Sequence, residues 1–522
     1  MATKTIEVLP VNRVEGDLKV RLTIEDREVT DARCAGTMYR GFENMLIGRS
    51  PLDSLVITPR ICGICTTSHL KAAAKALDMA YKANTPDDSL RLRNVTVMTE
   101  MLQNDIRQSF LLFFPDFTSP AHAQQPLYDE ALRRYAVFKG EAVVQTIRET
   151  KKLLEIISIL GGQWPHSSFI VPGGVVSLPS SNDIGSCRHL LSNFRRWYET
   201  NVLGCTLERW GEIESRQGLE EWLHEKPAHS EGDVGFFIRF AKAAGLDTMG
   251  MGPGTFISFG GLTMPTVTRV AAPEGHRNYM PSGFYDGEAV QVFDERMVRE
   301  DVSRAYFDDY MGPSHPFNGR TLPLQPTGDG KKYSWSKAPR YHGKPAETGP
   351  LAERIIASDP LFLDLPAGRR GSVFERQLAR LVRPAALIPI MDQWLKEMLR
   401  QDSEFFHNYH TKKDGDGVGL IQAPRGALGH WMKIVDNKIA NYQIITPTAW
   451  NLSPTDKNDL KGPCEHALVG TRVADPDNPV EVEHVIRSFD PCLVCCVHAV
   501  TPDGNWRNKG QHNNRRRFTL RF

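Results

Sequence analysis

An alternation of apolar and polar residues, Leu18-Lys19-Val20-Arg21-Leu22-Thr23-Ile24, puts every second side chain on one face, the period of a half-buried strand. Turn-like charged residues flank it, so residues 4–34 are expected to form a small antiparallel sheet. Further on the period becomes helical. Ser68 to Ala83 is rich in Ala and Lys, and Thr85-Pro86-Asp87-Asp88 offers an N-cap, a proline at the first helical position and acids in the first turn. Val95, Met98, Leu102, Ile106 and Phe110 follow at steps of three and four. Two more long helices are expected, from about Leu132 to Leu160, stopped by Gly161-Gly162, and from about Ile184 to Leu219. Helices resume over about 371–383 and 390–403, and a mixed segment follows over 415–450.

Together these elements predict an α+β, predominantly helical fold, with a central bundle of long helices beside the N-terminal antiparallel sheet. The helical core is expected over about 66–220 and 371–498. Between them, 250–350 reads as a loop- and strand-rich peripheral region, where Pro and Gly interleave with aromatic residues. No repeat or low-complexity linker divides the chain, so 1–498 reads as one domain. The remainder, 499–522, is a basic extension that includes Arg515-Arg516-Arg517.

Composition narrows the function. With 522 residues, 41% hydrophobic, 24% charged and a formal net charge of +1, the chain has a globular make-up and no electrostatic case for nucleic acid or an anionic membrane. No apolar run reaches the length of a transmembrane segment. The first residues, Met1 to Val8, lack the apolar core of an export signal, so the chain is expected in the cytoplasm or on the cytoplasmic side of a membrane unless a partner exports it.

Nine cysteines are too few for a disulfide scaffold, and four of them stand in two Cys-x-x-Cys pairs at opposite ends of the chain. Arg60-Ile61-Cys62-Gly63-Ile64-Cys65 is followed by His69, and Asp490-Pro491-Cys492-Leu493-Val494-Cys495 by His498. If the pairs converge they form a four-thiolate site for a thiophilic metal. Structural zinc is the plain alternative, and the wide separation of the pairs argues against it, since a chain this long needs no such staple. A thioredoxin-like dithiol would need a βαβ pattern that is absent here. The other cysteines, Cys34, Cys187, Cys205, Cys464 and Cys496, lack the spacing to hold an iron–sulfur cluster.

The chain resembles the large, catalytic subunit of nickel–iron hydrogenases. Both cysteine motifs are whole, Arg-x-Cys-Gly-x-Cys-x-x-x-His at 60–69 and Asp-Pro-Cys-x-x-Cys-x-x-His at 490–498. Other matches follow in order: Arg13-Val14-Glu15-Gly16, Tyr39-Arg40-Gly41-Phe42-Glu43, Pro165-His166 with Pro172-Gly173-Gly174, Lys337 to Tyr341, Glu347 to Leu351, Ala423-Pro424-Arg425-Gly426 and Asn441-Tyr442-Gln443. Asp17, where many relatives have His, resembles an uptake branch typified by cyanobacterial enzymes.

The resemblance implies reversible heterolytic cleavage of H2, in the uptake direction, with electrons passed to an iron–sulfur small subunit. An H2-sensing subunit is the alternative from another class, and the extension at 499–522 argues against it. Cys62 and Cys492 match terminal nickel ligands, and Cys65 and Cys495 match the thiolates that bridge nickel to iron, whose other ligands are carbon monoxide and cyanide. Arg425 matches a guanidinium over the metal pair, although an ion-paired arginine is the bland reading. Its high pKa makes Cys492 the expected first proton acceptor. Glu15 matches the carboxylate that takes the proton onward, unless it only pairs with Arg13. Asp105 and Asp490 would hold Arg425, Pro424 would adjoin it, Thr448 would donate to a cyanide and His69 would hydrogen-bond a sulfur. Glu43, the Ile444 carbonyl and His498 match a second site for Mg2+, or Fe2+ given the histidine. Maturation would involve nickel-insertion chaperones and an endopeptidase cutting between His498 and Ala499, and a higher oligomer of heterodimers is expected.

Overall fold

The structure, a computed structural model, describes residues 3–271, 273, 275–309, 312–326, 330–364, 370–399 and 404–496. The N-terminal strands β1 (Thr3–Val8), β2 (Leu18–Glu25) and β3 (Glu28–Gly36) form an antiparallel meander. Leu18, Val20, Leu22 and Ile24 face inward and are buried, as their alternation requires. Asp26 and Arg27, both at positive φ, make the two-residue turn between β2 and β3.

Four long helices pack in sequence around the interior. The helix α1 (Thr66–Tyr81) precedes α2 (Asp87–Arg107), α3 (Glu141–Gly161) and α4 (Ser181–Trp197). After the strands β4 (Phe256–Thr263) and β5 (Asn278–Tyr285) comes α5 (Val373–Glu397). Contacts run from α2 to α3 and α5, from α3 to α4, and from α4 to α5. Unlike surface helices, α2 and α5 are buried on almost every side, including Arg91, Arg93, Glu100, Asp105, Arg380 and Arg383. Such charges persist inside only when paired or hydrogen-bonded.

Helix boundaries depart from the periodicity in four places. The helix expected over 132–160 is two, Tyr128–Tyr135 and α3, because the chain turns back at Gly140, where a Cβ would lie 2.3 Å from the Arg134 carbonyl oxygen. The one expected over 184–219 ends near Gly204, which takes a left-handed φ of 76°. In the third place Pro384 and Pro389 lie within the single helix α5 rather than dividing it, since tertiary packing outweighs the two lost amide bonds. Finally, Asp87 begins α2 and Thr85 does not cap it; the Thr85 hydroxyl donates to Asp78.

Within 371–498, the second part of the helical core, the mixed segment at 415–450 is an antiparallel sheet of β6 (Gly415–Ala423), β7 (Gly426–Val435) and β8 (Lys438–Ile445). Strand β6 lies directly against α1. Side chains would prevent this: a Cβ at Gly417 would be 2.1 Å from the Ala76 carbonyl oxygen, and one at Gly419 only 1.8 Å from that of Ala72. Two strand residues span about 6.6 Å and four helical residues about 6 Å, so glycines at every second position match alanines at every fourth. This register brings the Pro424-Arg425 turn to the N-terminal end of α1, where the first cysteine pair sits. Among the described residues no helix is long and apolar enough to cross a membrane.

Candidate metal centre

Cys62 and Cys65 lie in the turn that leads into α1, and Cys65 is the residue just before the helix. The partial positive charge of a helix N-terminus favours a thiolate there. The second pair arrives by pairing with the start of the chain. The Glu15 amide donates to the Pro491 carbonyl at 3.2 Å, and the Leu493 amide to the Glu15 carbonyl at 2.6 Å. Next to it the Cys492 amide donates to Thr448 Oγ1 at 3.0 Å. Gly16 makes the approach possible, because a Cβ there would lie 2.9 Å from the Val494 nitrogen.

All four sulfurs are buried and within 4.8 Å of one another. Cys62 Sγ lies 3.6 Å from Cys492 Sγ, Cys65 Sγ 3.2 Å from Cys495 Sγ, and Cys492 Sγ 2.9 Å from Cys495 Sγ. None forms a disulfide. Hydrogen bonds from the Cys492 sulfur and the other two hold the Cys62 thiol well below its usual range. The sulfur of Cys492 pushes Cys65 up, and burial pushes Cys495 up. Four thiolates cannot share this space without cationic charge among them, which is the chemistry of a metal site.

Arg425 overhangs the sulfurs. Its Nε donates to Asp490 Oδ1 at 3.0 Å and to the Asp490 carbonyl at 3.2 Å. Asn104 donates to the other oxygen, Oδ2, at 2.7 Å. Burial opposes the charge of Arg425, but Asp490 and the sulfurs outweigh it and hold the guanidinium well above its ordinary range. Its Nη1 is buried without a partner among the described residues. A small cavity opens between Arg425, Pro424, Leu428, Thr448, Cys65 and Cys495. Thr448 lines it, with its hydroxyl oxygen accepting from Cys492 and its proton left to donate. An orphaned N–H and a hydroxyl beside a cavity next to the bridging sulfurs fit small polar ligands on a metal.

One expected role needs correction. Asp105 does not hold Arg425; it grips Arg383, which in turn donates to the Pro424 carbonyl at 2.6 Å. His69 lines the cavity with Cys65 and Cys495, and its Nδ1 hydrogen-bonds Nε2 of His430 at 3.1 Å, which leaves its own Nε2 for the expected sulfur contact. Burial lowers its pKa to about 4, so the ring is neutral. Glu15 is not paired with Arg13, whose partners are Asp116 and Glu483. At the other expected metal site the Glu43 carboxylate accepts from the Ile444 amide at 2.8 Å, from Thr321 and from Lys337. His498 and Ala499 lie outside the described residues.

Sequence reasoning gave no role to Arg40, Asn104, Arg383 or His430. Arg40 stood inside a quoted motif and so carried a signal. The others act through contacts between distant segments that no local pattern marks.

Comparison with known proteins agrees with this geometry. Residues 40–131 and 141–498 match the family described as nickel-dependent hydrogenase. The periplasmic [NiFeSe] hydrogenase large subunit of Desulfomicrobium baculatum is 30% identical, with 95% of each chain covered. The uptake hydrogenase large subunit of Rhodobacter capsulatus is 27% identical, with 96% of each covered. A solved structure of the Ni-Fe-Se hydrogenase of D. vulgaris Hildenborough superposes with a TM-score of 0.80 at 29% identity, covering 95% of this chain and all of the other. With four converging sulfurs and a match along nearly its whole length, the chain belongs to the nickel-dependent hydrogenases as a large subunit with a nickel–iron centre, oxidoreductases acting on H2.

Proposed function

We propose that the chain oxidises H2 in the uptake direction as the catalytic half of a heterodimer, delivering electrons to an iron–sulfur small subunit. The observation that carries the reading is the convergence of four buried sulfurs beside an unpartnered Arg425 Nη1. The five other cysteines offer no cluster spacing, so a partner takes the electrons. Met45, Ile47, Leu52 and Val56, on the stretch leading to the first cysteine pair, stand 40–47% exposed and suit a docked subunit. Asp17 supports the uptake branch and a place on the cytoplasmic side. The helices α2, α3, α4 and α5, each packed on two of the others, support reading them as a central bundle.

Cys62 and Cys492 would hold nickel, and Cys65 and Cys495 would join it to iron. When bound, that pair supplies the heterolytic cleavage of H2. The chain's own groups manage the proton. Arg425 stays protonated and so orients rather than abstracts. The Cys492 sulfur is the first acceptor, and Glu15, whose backbone pairs beside Cys492, takes the proton outward. Burial pushes the Glu15 carboxyl up, which brings its affinity nearer to that of the donor. Arg425 Nη1 and the Thr448 hydroxyl suit the cyanides on iron, and carbon monoxide suits the apolar wall at Pro424 and Leu428.

A divalent cation, Mg2+ or Fe2+, is proposed at Glu43 with the Ile444 carbonyl and His498. Glu43 and the buried Glu300 share one lysine, Lys337. Burial pushes Glu300 up to about 7, and its Oε2 lacks a hydrogen bond. The family match ends at residue 498, which supports endopeptidase cleavage between His498 and Ala499 after chaperones insert nickel. Heterodimers are proposed to assemble further.

Elemental analysis with infrared spectroscopy of the purified, partnered protein tests the reading. Equal nickel and iron with carbon monoxide and cyanide bands are expected. Zinc alone, or no such bands, would overturn it.

A further inference from the structure

Arg40 lies between β3 and the first cysteine pair, partly buried, with its guanidinium carbon 4.8 Å from the centroid of the Phe42 ring. Its Nη2 donates to two main-chain carbonyls. One belongs to Ile61, immediately before Cys62, and the other to Val494, immediately before Cys495. Two carbonyl dipoles aimed at one point repel. A planar cation between them turns that repulsion into a pair of charge-assisted hydrogen bonds. Apart from the approach of the sulfurs to one another, hydrogen bonds of the C-terminal segment run to Glu15, Thr448, Asn104 and Arg425, whereas a guanidinium joins its main chain to that of the first cysteine segment. Arg40 touches both. The sulfurs it spans, those of Cys62 and Cys495, come one from each pair, so a change in its reach alters the separation of the two pairs.

We propose that Arg40 is a positioning residue that fixes the distance between the two cysteine segments and so the spacing of the sulfurs around the metals. Phe42 supports it from below, restricting the guanidinium to the plane in which both carbonyls are reached. The proposal rests on the reading of the four cysteines as nickel and iron ligands, and wild-type metal content tests that reading by itself.

The experiment compares wild type with Arg40→Leu and Arg40→Lys, each purified with its partner subunit and challenged with a chelator. Nickel retention is expected to fall about tenfold in Arg40→Leu, the size of effect seen when groups that orient metal ligands are removed. Arg40→Lys, which keeps a cation with several donors, should recover part of that loss. Infrared bands of carbon monoxide and cyanide on iron should broaden in both variants, while the thermal midpoint stays at the wild-type value. Should Arg40→Leu fail to fold, Arg40→Lys and Phe42→Leu carry the test through the same bands. Wild-type nickel retention and band widths in the variants would overturn the proposal. So would a fall in thermal midpoint that accounts for the nickel lost. Wild-type protein without nickel and without the bands would instead remove the reading of the site.

Discussion

Asp105 grips Arg383 with both carboxylate oxygens, at 2.8 Å to Nε and 2.7 Å to Nη2, deep between α2 and α5. Arg383 also meets Glu353 at 2.8 Å, and its Nη2 donates to the Pro424 carbonyl at 2.6 Å. A carboxylate on one central helix therefore sets the turn that carries Arg425, through an arginine on another.

Removing that carboxylate should be felt in two places. Asp105→Ala leaves a buried arginine with one acid partner instead of two, and breaking a buried pair of this kind costs about 3 kcal/mol. Chemical unfolding should show that loss, and H2 oxidation should fall further than stability explains, because the Pro424-Arg425 turn is released. Asp105→Asn keeps the shape and should lie between. Wild-type activity in Asp105→Ala would show that the turn is set by something else.

Glu100 accepts from the Thr67 amide at 2.6 Å, from the Ser68 amide at 3.0 Å and from the Ser68 hydroxyl at 2.9 Å, so it caps the helix that starts after Cys65. Burial pushes its carboxyl up from 4.5 to about 7. Across that window the folded protein keeps a proton that the unfolded chain has released, so this group's contribution to stability falls as pH rises. Glu100→Gln cannot titrate. The difference in unfolding free energy between wild type and variant should change by up to about 3 kcal/mol between pH about 4.5 and 7.5. A difference independent of pH would mean that Glu100 does not titrate there.

Gly419→Ala should push β6 off α1, since the added methyl would lie 1.8 Å from the Ala72 carbonyl. Overpacking at a backbone contact costs about 3 kcal/mol, and the helix behind Cys65 moves with it. Lower thermal stability together with lost nickel is expected. Gly343→Ala serves as the control, because a Cβ there meets nothing within 4 Å, and its positive φ of 74° predicts only local backbone strain.

Glu15→Gln should leave the metals and their infrared bands in place and slow turnover by about a hundredfold or more, the usual weight of a positioned acid–base group. Normal turnover would move the proton route elsewhere. Nickel loss would make the Glu15 side chain a structural support of the site, since its main-chain pairing with 491–493 is unchanged in this variant.

Much of the site was legible because its residues come in contiguous runs. The family resemblance carried by the motifs at 60–69 and 490–498 implies that the two pairs converge, and the sulfurs do converge. The contacts of Asp105 and His69 are not legible locally, because each has a partner more than 250 residues away, Arg383 and His430. The segment 415–450 reads only as mixed, and the packing of its first strand is marked by glycine at 415, 417 and 419, a period of two, set against alanine at 72, 76 and 80, a period of four. Helix ends were least legible. Pro384 and Pro389 stop an isolated helix, but here burial on all sides keeps α5 whole.

The strand-like pairing of Glu15 with Pro491 and Leu493 has a consequence for how the molecule comes into being. Protein synthesis is vectorial, so a growing chain holds two of the four sulfurs while the next 430 residues are made, and only then gains the others. The pocket is thus closed like a drawstring bag, by the cord that is pulled last, and its opening stays accessible until then.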